Sequence, residues 1–591
     1  MQTQMNRLLS KCGPWILTLV FGIAVLLFWW KRYPFALSYQ EQFQLFLFDT
    51  DYFLHRLSEP GGIARYVSEF LVQFYNNVLL GASVIALLLM VLQRVMWRLM
   101  KAALVWYPLS FIPSLLAWYM MGDESLLLAF PVAVVMVSLF MLLYNALSRF
   151  PVLVRVLIAL LLIPVAYWIT GPVVLSLALY IGGRELQYSV RGGSQIKHGF
   201  KLSGVGLALG LVVYSLFCIV ISKYLVPYTT SQLFCGIGYH RYFEFFLAMM
   251  AVMMLLIALL PLVARPLPDI VKPRSVATVI AIQLLTIIVV IVSLIPSNFD
   301  SRTYELIEYD YLVRLRQWDR IISKATEKTP DLPMSVCATN MALAMKGELG
   351  NRAFDFYQRS SDGLFPPFER NFSTVLTTGE VYFNLGLVNT AQRFAFEAME
   401  ALPNYNKSAR CLRRLAETNL INGQYEVARK YLLILEKTLF YKKWAQSMME
   451  MLGDEKQINA HPLYGYLRKV RLQEDFLFSE QEVDKICGQL VMKSKENVVA
   501  VQYLLLYPLL NRDINTFMNY MSFVSQRMSY TSRICQEAIV FAYASRSQTP
   551  PQGMVIPAVL QSFNGFMRAY QSNGPLLAYK NTLWYYLMKG Q

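Results

Sequence analysis

The sequence predicts an all-α protein: a polytopic bundle of about nine transmembrane helices, followed by a helical-repeat α-solenoid. Three observations predict it. The 591-residue chain is 56% hydrophobic and only 16% charged, against roughly 45–50% and about 25% in soluble domains. The apolar excess is confined to the chain up to Pro296, and after Asn298 Lys, Arg, Glu, Asp and Gln recur at regular intervals. The periodicity of that second half is helical. Residues 1–297 are therefore expected to form a transmembrane domain and 298–591 a separate soluble one.

The formal charge of +16 would suggest nucleic acid in a soluble protein. Here much of the excess sits in short loops between apolar runs, where basic residues set topology and meet anionic headgroups. Membrane lipids, not nucleic acid, are the expected partners. The seven cysteines are odd in number and contain no CxxC pair, so neither a metal site nor a disulfide framework is predicted.

The first apolar run, Gly13–Trp30, follows Arg7 and Lys11 and ends on two tryptophans suited to an interface. No small-residue cleavage site follows, so it reads as a retained signal-anchor. That puts the N-terminus in the cytoplasm and the next loop outside. Further spans are expected near 77–92, 104–121, 126–147, 152–168, 173–183, 204–222, 245–263 and 276–295, with Thr170-Gly171-Pro172 a tight turn between the fifth and the short sixth.

Charge agrees with this order. Inner loops carry Arg94, Arg98 and Lys101, then Arg149, then Arg184, Arg191, Lys197 and Lys201, then Arg265, Lys272 and Arg274. The outer Gly122-Asp123-Glu124 and Thr170–Pro172 carry no base. An odd number of spans leaves everything after Pro296 outside, in the periplasm if the membrane is a bacterial inner (cytoplasmic) membrane. Arg155, near the inner end of its span, is expected to snorkel to the headgroups. No Asp, Glu or His falls mid-run, which argues against an ion-coupled transporter.

In the soluble half, 304–328 reads as one amphipathic helix, with Leu306, Tyr309, Leu312, Leu315, Trp318 and Ile321 on one face. Gly379, Tyr382, Gly386, Ala391, Ala398 and Pro403 then fall at the spacing of a tetratricopeptide repeat, in which small residues let two helices approach and Pro ends the second. A second copy places Ala416, Gly423 and Ala428 in matching positions, 37 residues on by the glycines, and a weaker one precedes at Gly347–Tyr357. Such TPR-like solenoids present a concave surface that takes proteins or peptides. The lone His461 has no partner pattern and is not taken as a site.

The stretch that holds the candidate chemistry is Lys31–Phe70, an outward loop with Glu41, Asp49, Asp51, Glu59 and Glu69 interleaved with His55, Arg56 and Arg65. Aromatic and aliphatic residues recur so that 38–55 can lie as an amphipathic helix on the outer leaflet. Glu59-Pro60-Gly61-Gly62 breaks it, and a second helix resumes over Ile63–Tyr75.

This layout resembles the polytopic lipid-phosphate-dependent glycosyltransferases of the GT-C class. There an acidic residue outside the first span precedes an amphipathic helix, a Pro-containing turn and a helix entering the second span. The matching elements are Tyr39-Gln40-Glu41 or Asp49-Thr50-Asp51, Glu59-Pro60-Gly61-Gly62, and Ile63–Phe74. Directly after the first span, where that class carries an acidic pair, stands Lys31-Arg32-Tyr33-Pro34. The whole plan, with EQFQLFLF, EPGG and IARY, also resembles an uncharacterised family of Bacteroidota membrane proteins, which implies no activity.

Sugar transfer from a lipid phosphate needs a carboxylate to take the acceptor's proton or to hold a divalent cation, and a cation to meet charge on the leaving phosphate. Glu41, Asp49 and Asp51 are the candidate catalytic residues. Arg56, Arg65, His240 and Arg241 are the candidate substrate-binding residues. No cofactor is predicted beyond such a cation. The expected partners are a polyprenyl-phosphate-linked sugar and a periplasmic protein or peptide on the solenoid. The competing reading is a membrane-anchored scaffold for periplasmic assembly, with no enzymatic activity.

Overall fold

The computed structural model describes residues 2–191, 199–242, 246, 248–268, 276–367, 372–402, 406–473 and 482–589. Lys197, Lys272, Arg274 and Pro403 lie outside the described residues. Among the described residues the chain is all-α, with only an isolated antiparallel bridge between Leu126 and His240. It divides into two compact units: residues 1–301 together with the short segments 402–407 and 437–440, and the remainder.

Among its described residues the first unit holds six helical stretches long and apolar enough to cross a membrane, over 11–32, 78–100, 129–146, 152–189, 204–222 and 276–298. Two shorter apolar segments, 104–120 and 248–264, belong to the same unit. Helix is the form such runs must take in hydrocarbon, where backbone groups can be satisfied only within the segment. In order these are α1 (Gln2–Leu27), α2 (Pro34–Glu41), α3 (Thr50–Leu57), α4 (Gly62–Val72), α5 (Val78–Met100) and α6 (Ile112–Met120). Next come α7 (Ala129–Ala146), α8 (Val152–Thr170), α9 (Val174–Arg191) and α10 (Gly199–Ser222). The short α11 (Thr230–Cys235), α12 (Ala248–Ala264) and α13 (Val276–Leu294) complete the unit. Buried polar side chains tie α1 to its neighbours: the Thr18 hydroxyl donates to Gln93 (3.0 Å), and Gln93 Nε2 donates to Ser110 (2.7 Å).

The stretch 152–189 is two helices. The chain turns at 171–173, where Gly171 has a φ of +75°. Arg155 of α8 and Glu185 of α9 meet at 2.6 Å, whereas thirty residues of continuous helix would hold them about 45 Å apart. The two helices therefore fold back as a hairpin. Arg155 is 6% exposed, so the expected snorkelling does not occur; a buried carboxylate partner takes its place.

The loops assigned to one side by charge are joined by hydrogen bonds. Gln40 Nε2 donates to Glu124 O (2.7 Å), Leu127 N to Tyr239 O (3.0 Å), Gly61 N to Trp168 O (2.9 Å), and the Tyr239 hydroxyl to Thr170 O. On the other set of connections, Trp106 Nε1 donates to Pro268 O (3.0 Å) and Gln187 Nε2 to Leu262 O (2.9 Å).

The expected continuous helix over 38–55 is corrected to α2, an extended stretch from Gln44 to Asp49, and α3. The reason is competition for backbone partners. Leu45 N donates to Lys407 O (3.1 Å) and Phe48 N to Lys437 O (2.8 Å), so these groups need no helical partner. Phe43 and Phe46 are buried in protein instead of facing lipid.

The second unit is a train of paired helices. The single helix expected over 304–328 is two, Ser301–Arg314 and Trp318–Glu327. Arg316, with φ +54°, ends the first: Gln317 N donates to Leu312 O (2.9 Å) and Arg316 N to Val313 O (2.9 Å). This is a Schellman turn with arginine in the left-handed position that glycine usually takes. The same bond pair recurs with Gly347, Gly386, Gly423, Arg512 and Ser547 in that position, each at positive φ. Helices Phe372–Leu385 and Val388–Glu400 flank Gly386, and Ala409–Asn422 and Tyr425–Glu436 flank Gly423. Ala391, Ala398, Ala416 and Ala428 are buried between such helices, and a Cβ on Gly379 would stand 3.2 Å from that of Phe394.

Candidate functional site

Two polar clusters form in the connections of the first unit. The first sets His240 and Arg241 against the end of α2, the helix that carries Glu41. Glu41 closes α2 and is 6% exposed, and His240 and Arg241 are equally buried. The Tyr39 hydroxyl accepts from Arg241 Nη1 (3.4 Å), and the Arg241 guanidinium lies 4.5 Å over the Phe43 ring. Tyr39 and Phe43 bracket Glu41, so the loop carrying Arg241 packs on the end of α2. Arg241 N donates to Ser125 O (2.8 Å), and His240 Nε2 stands 3.4 Å from Asp123 Oδ2. A carboxylate beside an imidazole fixes the orientation of the ring.

The other two predicted acids lie elsewhere. Asp49 occupies the N-cap position of α3 and accepts from Lys437 Nζ (3.1 Å). Asp51 sits exposed in the first turn of α3, where a negative charge suits the helix dipole. Among the described residues no three His, Cys, Asp or Glu side chains are grouped to hold a metal ion.

The second cluster is built by the Glu59-Pro60-Gly61-Gly62 turn. Gly61 has φ +78°, and a Cβ there would stand 3.2 Å from Gly171 N. A Cβ on Gly62 would stand 1.6 Å from the Arg56 carbonyl oxygen, so only glycine lets α3 and α4 close on each other. That closure brings together Arg56, Arg65, Glu59 and Glu69, all buried. Arg56 Nε and Nη2 donate to the two oxygens of Glu69 (2.8 and 3.0 Å). Arg65 Nε donates to Glu69 (3.0 Å), its Nη1 to Glu59 (3.1 Å) and its Nη2 to Asn406 (2.8 Å). The Tyr52 hydroxyl donates to Glu69, and Tyr228 donates to Glu59 (2.7 Å).

Burial alone would raise the Glu69 carboxyl pKa, but the Arg56 and Arg65 guanidiniums outweigh it and hold the group below its ordinary value. Burial, reinforced by the Glu69 charge, drives the Tyr52 phenol upward. Burial and the hydrogen bond to Glu59 push Tyr228 up to about 12, so both phenols stay neutral donors. Two guanidiniums against two carboxylates make the cluster self-neutralising. Arg56 and Arg65, expected to meet a phosphate, thus spend their charge on Glu59 and Glu69.

Sequence reasoning passed over Glu59, Glu69 and Asp123 as partners. The Arg65–Glu69 pair was signalled by its four-residue spacing on one helix, whereas Arg56–Glu69 and His240–Asp123 cross between segments and carry no such signal.

An apolar cavity of about 520 Å³ opens in the same unit between the 104–120 segment, α12 and α13, with Leu109, Ile112, Leu116, Met249, Val252 and Ile287 in its wall. No curated protein and no solved structure matches the chain. A family model does match, over residues 10–590, and the chain belongs to that family, which is described as a family of unknown function (DUF6057).

Proposed function

We propose that this is a nine-span protein of the bacterial inner membrane that acts as a GT-C-like glycosyltransferase on a polyprenyl-phosphate-linked sugar. Nine crossings follow when 152–189 counts as two, because of its hairpin, and the apolar segments 104–120 and 248–264 are added. The hydrogen bonds joining the first, third, fifth and seventh connections support an odd-even sidedness. The N-terminus is then cytoplasmic, and residues 298–591 form a periplasmic TPR-like domain that binds a protein or peptide partner. The recurring turn at Gly347, Gly386 and Gly423 supports the repeat reading.

One observation carries the enzymatic reading: Arg241, with His240 beside it, reaches across about two hundred residues to donate to Tyr39, two residues from the buried Glu41. In this mechanism Glu41 takes the proton of the acceptor hydroxyl as its oxygen bonds to the anomeric carbon and the sugar–phosphate bond breaks. Arg241 and the Asp123-held His240 meet the charge left on the phosphate. The cavity between 104–120, α12 and α13 supports the same reading, since an isoprenoid chain needs an apolar wall. A membrane-anchored scaffold is the second reading, favoured by the self-neutralised Arg56–Glu69 cluster.

The test is a strain whose only copy is Glu41→Gln or Arg241→Ala. At unchanged protein level, loss of an envelope glycan supports the enzyme; an unaltered glycan profile rejects it in favour of the scaffold.

A further inference from the structure

The short helix α3 has three faces. Tyr52 and Arg56 turn inward and donate to Glu69. Asp51, His55 and Ser58 are polar and exposed. Phe53, Leu54 and Leu57 are apolar and exposed, and at about 100° per residue they share one side of the helix. A lone exposed leucine needs no explanation, but a contiguous apolar surface does. This surface does not end with the helix. Phe48, two residues before α3, is 52% exposed, Leu54 53% and Leu439 45%.

Leu439 comes from 437–440, a segment remote in sequence that belongs to the first unit. Phe48 N donates to Lys437 O (2.8 Å) at one end of that segment. At the other end Leu439 N donates to Gln73 Oε1 (3.2 Å), and the Phe440 ring meets that of Phe74 edge-on, with centroids 5.9 Å apart. The segment is thus fixed between the entry to α3 and the entry to α5.

Both anchorages lie at the ends of apolar helices. Gln73 and Phe74 precede Val78, where α5 begins, and Leu79 and Leu80 in its first turn are exposed. At the other helix, Trp168 Nε1 donates to Leu57 O (2.8 Å). Trp168 stands three residues, about 4.5 Å, beyond the exposed Val165 of α8. An indole whose N–H finds an acceptor at the end of an apolar helix suits the membrane interface.

We infer that α3 and the 437–440 segment form one lipid-docking surface, with Phe48, Phe53, Leu54, Leu57 and Leu439 immersed at the headgroup level of the leaflet where α5 begins. The occupant is lipid because this apolar surface adjoins the exposed apolar sides of α5 and α8. The stripe of Asp51, His55 and Ser58 stays at its edge for water, the division of faces that lays a helix in the interfacial plane. Residues beyond 400 thereby gain a lipid contact in a stretch whose composition does not announce one. The inference rests on α5 and α8 crossing the membrane, and not on sugar transfer.

The test is fluorescence quenching of the full-length protein in phosphatidylcholine nanodiscs. Of the seven cysteines only Cys12 is exposed. In a Cys12→Ser background, Leu54→Cys, Leu439→Cys, His55→Cys and Leu87→Cys each carry a single bimane. Leu87 is exposed near the middle of α5 and reports whether that helix crosses. A lipid nitroxide near the headgroup should quench the labels at 54 and 439 and find their emission shifted to the blue. A water-soluble nitroxide should quench the label at 55, and a nitroxide at the end of the acyl chain the label at 87. Purely aqueous quenching at 54 and 439, with 87 in lipid, would overturn the inference and leave the crossing of α5 intact. Access by neither quencher would mean that protein covers the surface, which overturns it as well. No lipid quenching at 87 would reject the crossing and the inference together. The unlabelled wild type supplies a second reading. Phosphatidylcholine bearing a diazirine near its ester should form adducts on peptides containing 53–57 and 439–440; adducts on α5 alone would overturn the inference.

Discussion

Arg155 and Glu185, thirty residues apart, form a two-pronged ion pair: Nε to Oε1 at 2.9 Å and Nη2 to Oε2 at 2.6 Å. The pair sits across the α8–α9 hairpin and is completed by the Tyr144 hydroxyl, which donates to Glu185 (2.6 Å), and by the Phe150 carbonyl, which accepts from Arg155 (2.8 Å). Three segments of the bundle therefore depend on one carboxylate.

Glu185→Gln should be far more harmful than loss of the pair as a whole. Removing one charge strands the other where water cannot reach it, at a cost of about 3–5 kcal/mol, whereas replacing both by apolar side chains of similar size is often near neutral. Thermal unfolding of the purified protein should rank Glu185→Gln well below the Arg155→Met/Glu185→Leu double variant. Equal losses would mean that the pair is solvated.

The Glu69 carboxyl supplies an acid-side prediction. Its pKa is lower in the folded protein than in the unfolded chain, so its stabilisation is present above the unfolded value of about 4.3 and is lost as pH falls through the folded value. Denaturation followed from pH 7 to pH 3 should show stability falling below about pH 4.3. Glu69→Gln should be destabilised at neutral pH and show a shallower acid limb.

Gly62→Ala probes how the same cluster is assembled. The added methyl would meet the Arg56 carbonyl at 1.6 Å, and backbone cannot yield as a flexible side chain does. The α3–α4 turn should open and part Arg56 from Glu69, with a loss of at least about 1–3 kcal/mol. Proteolysis within 56–62 should accelerate in the variant and not in the wild type.

The apolar helices were legible because hydrocarbon dictates both length and composition. That certain connections meet, through Gln40, Gly61 and Tyr239, is a feature of the fold. Partner choice was not legible. Arg56, Arg65 and Glu69 were all visible in one stretch, yet nothing in spacing says that Arg56 chooses Glu69 over a ligand. Asp49 finds Lys437 across 388 residues, and Leu45 and Phe48 give up helix for carbonyls equally remote in sequence. Helix propensity is a local quantity, and these residues answer to distant backbone.

The recurring turn of the second unit makes a final, paired prediction. Gly347, Gly386 and Gly423 announced it in the sequence, while Arg512 and Ser547 adopt the same left-handed φ, +61° and +58°, without the residue that marks it. A side chain in that conformation costs roughly 1–2 kcal/mol relative to glycine. Ser547→Gly should therefore stabilise the protein by about 1 kcal/mol, less the greater freedom of glycine in the unfolded chain. Gly423→Ala should cost about 1–2 kcal/mol, because nothing lies within 4 Å of an added Cβ there and only backbone strain is at stake. Urea denaturation of the two variants against the wild type reads both signs. Shifts in the same direction would mean that packing, not backbone conformation, governs these turns.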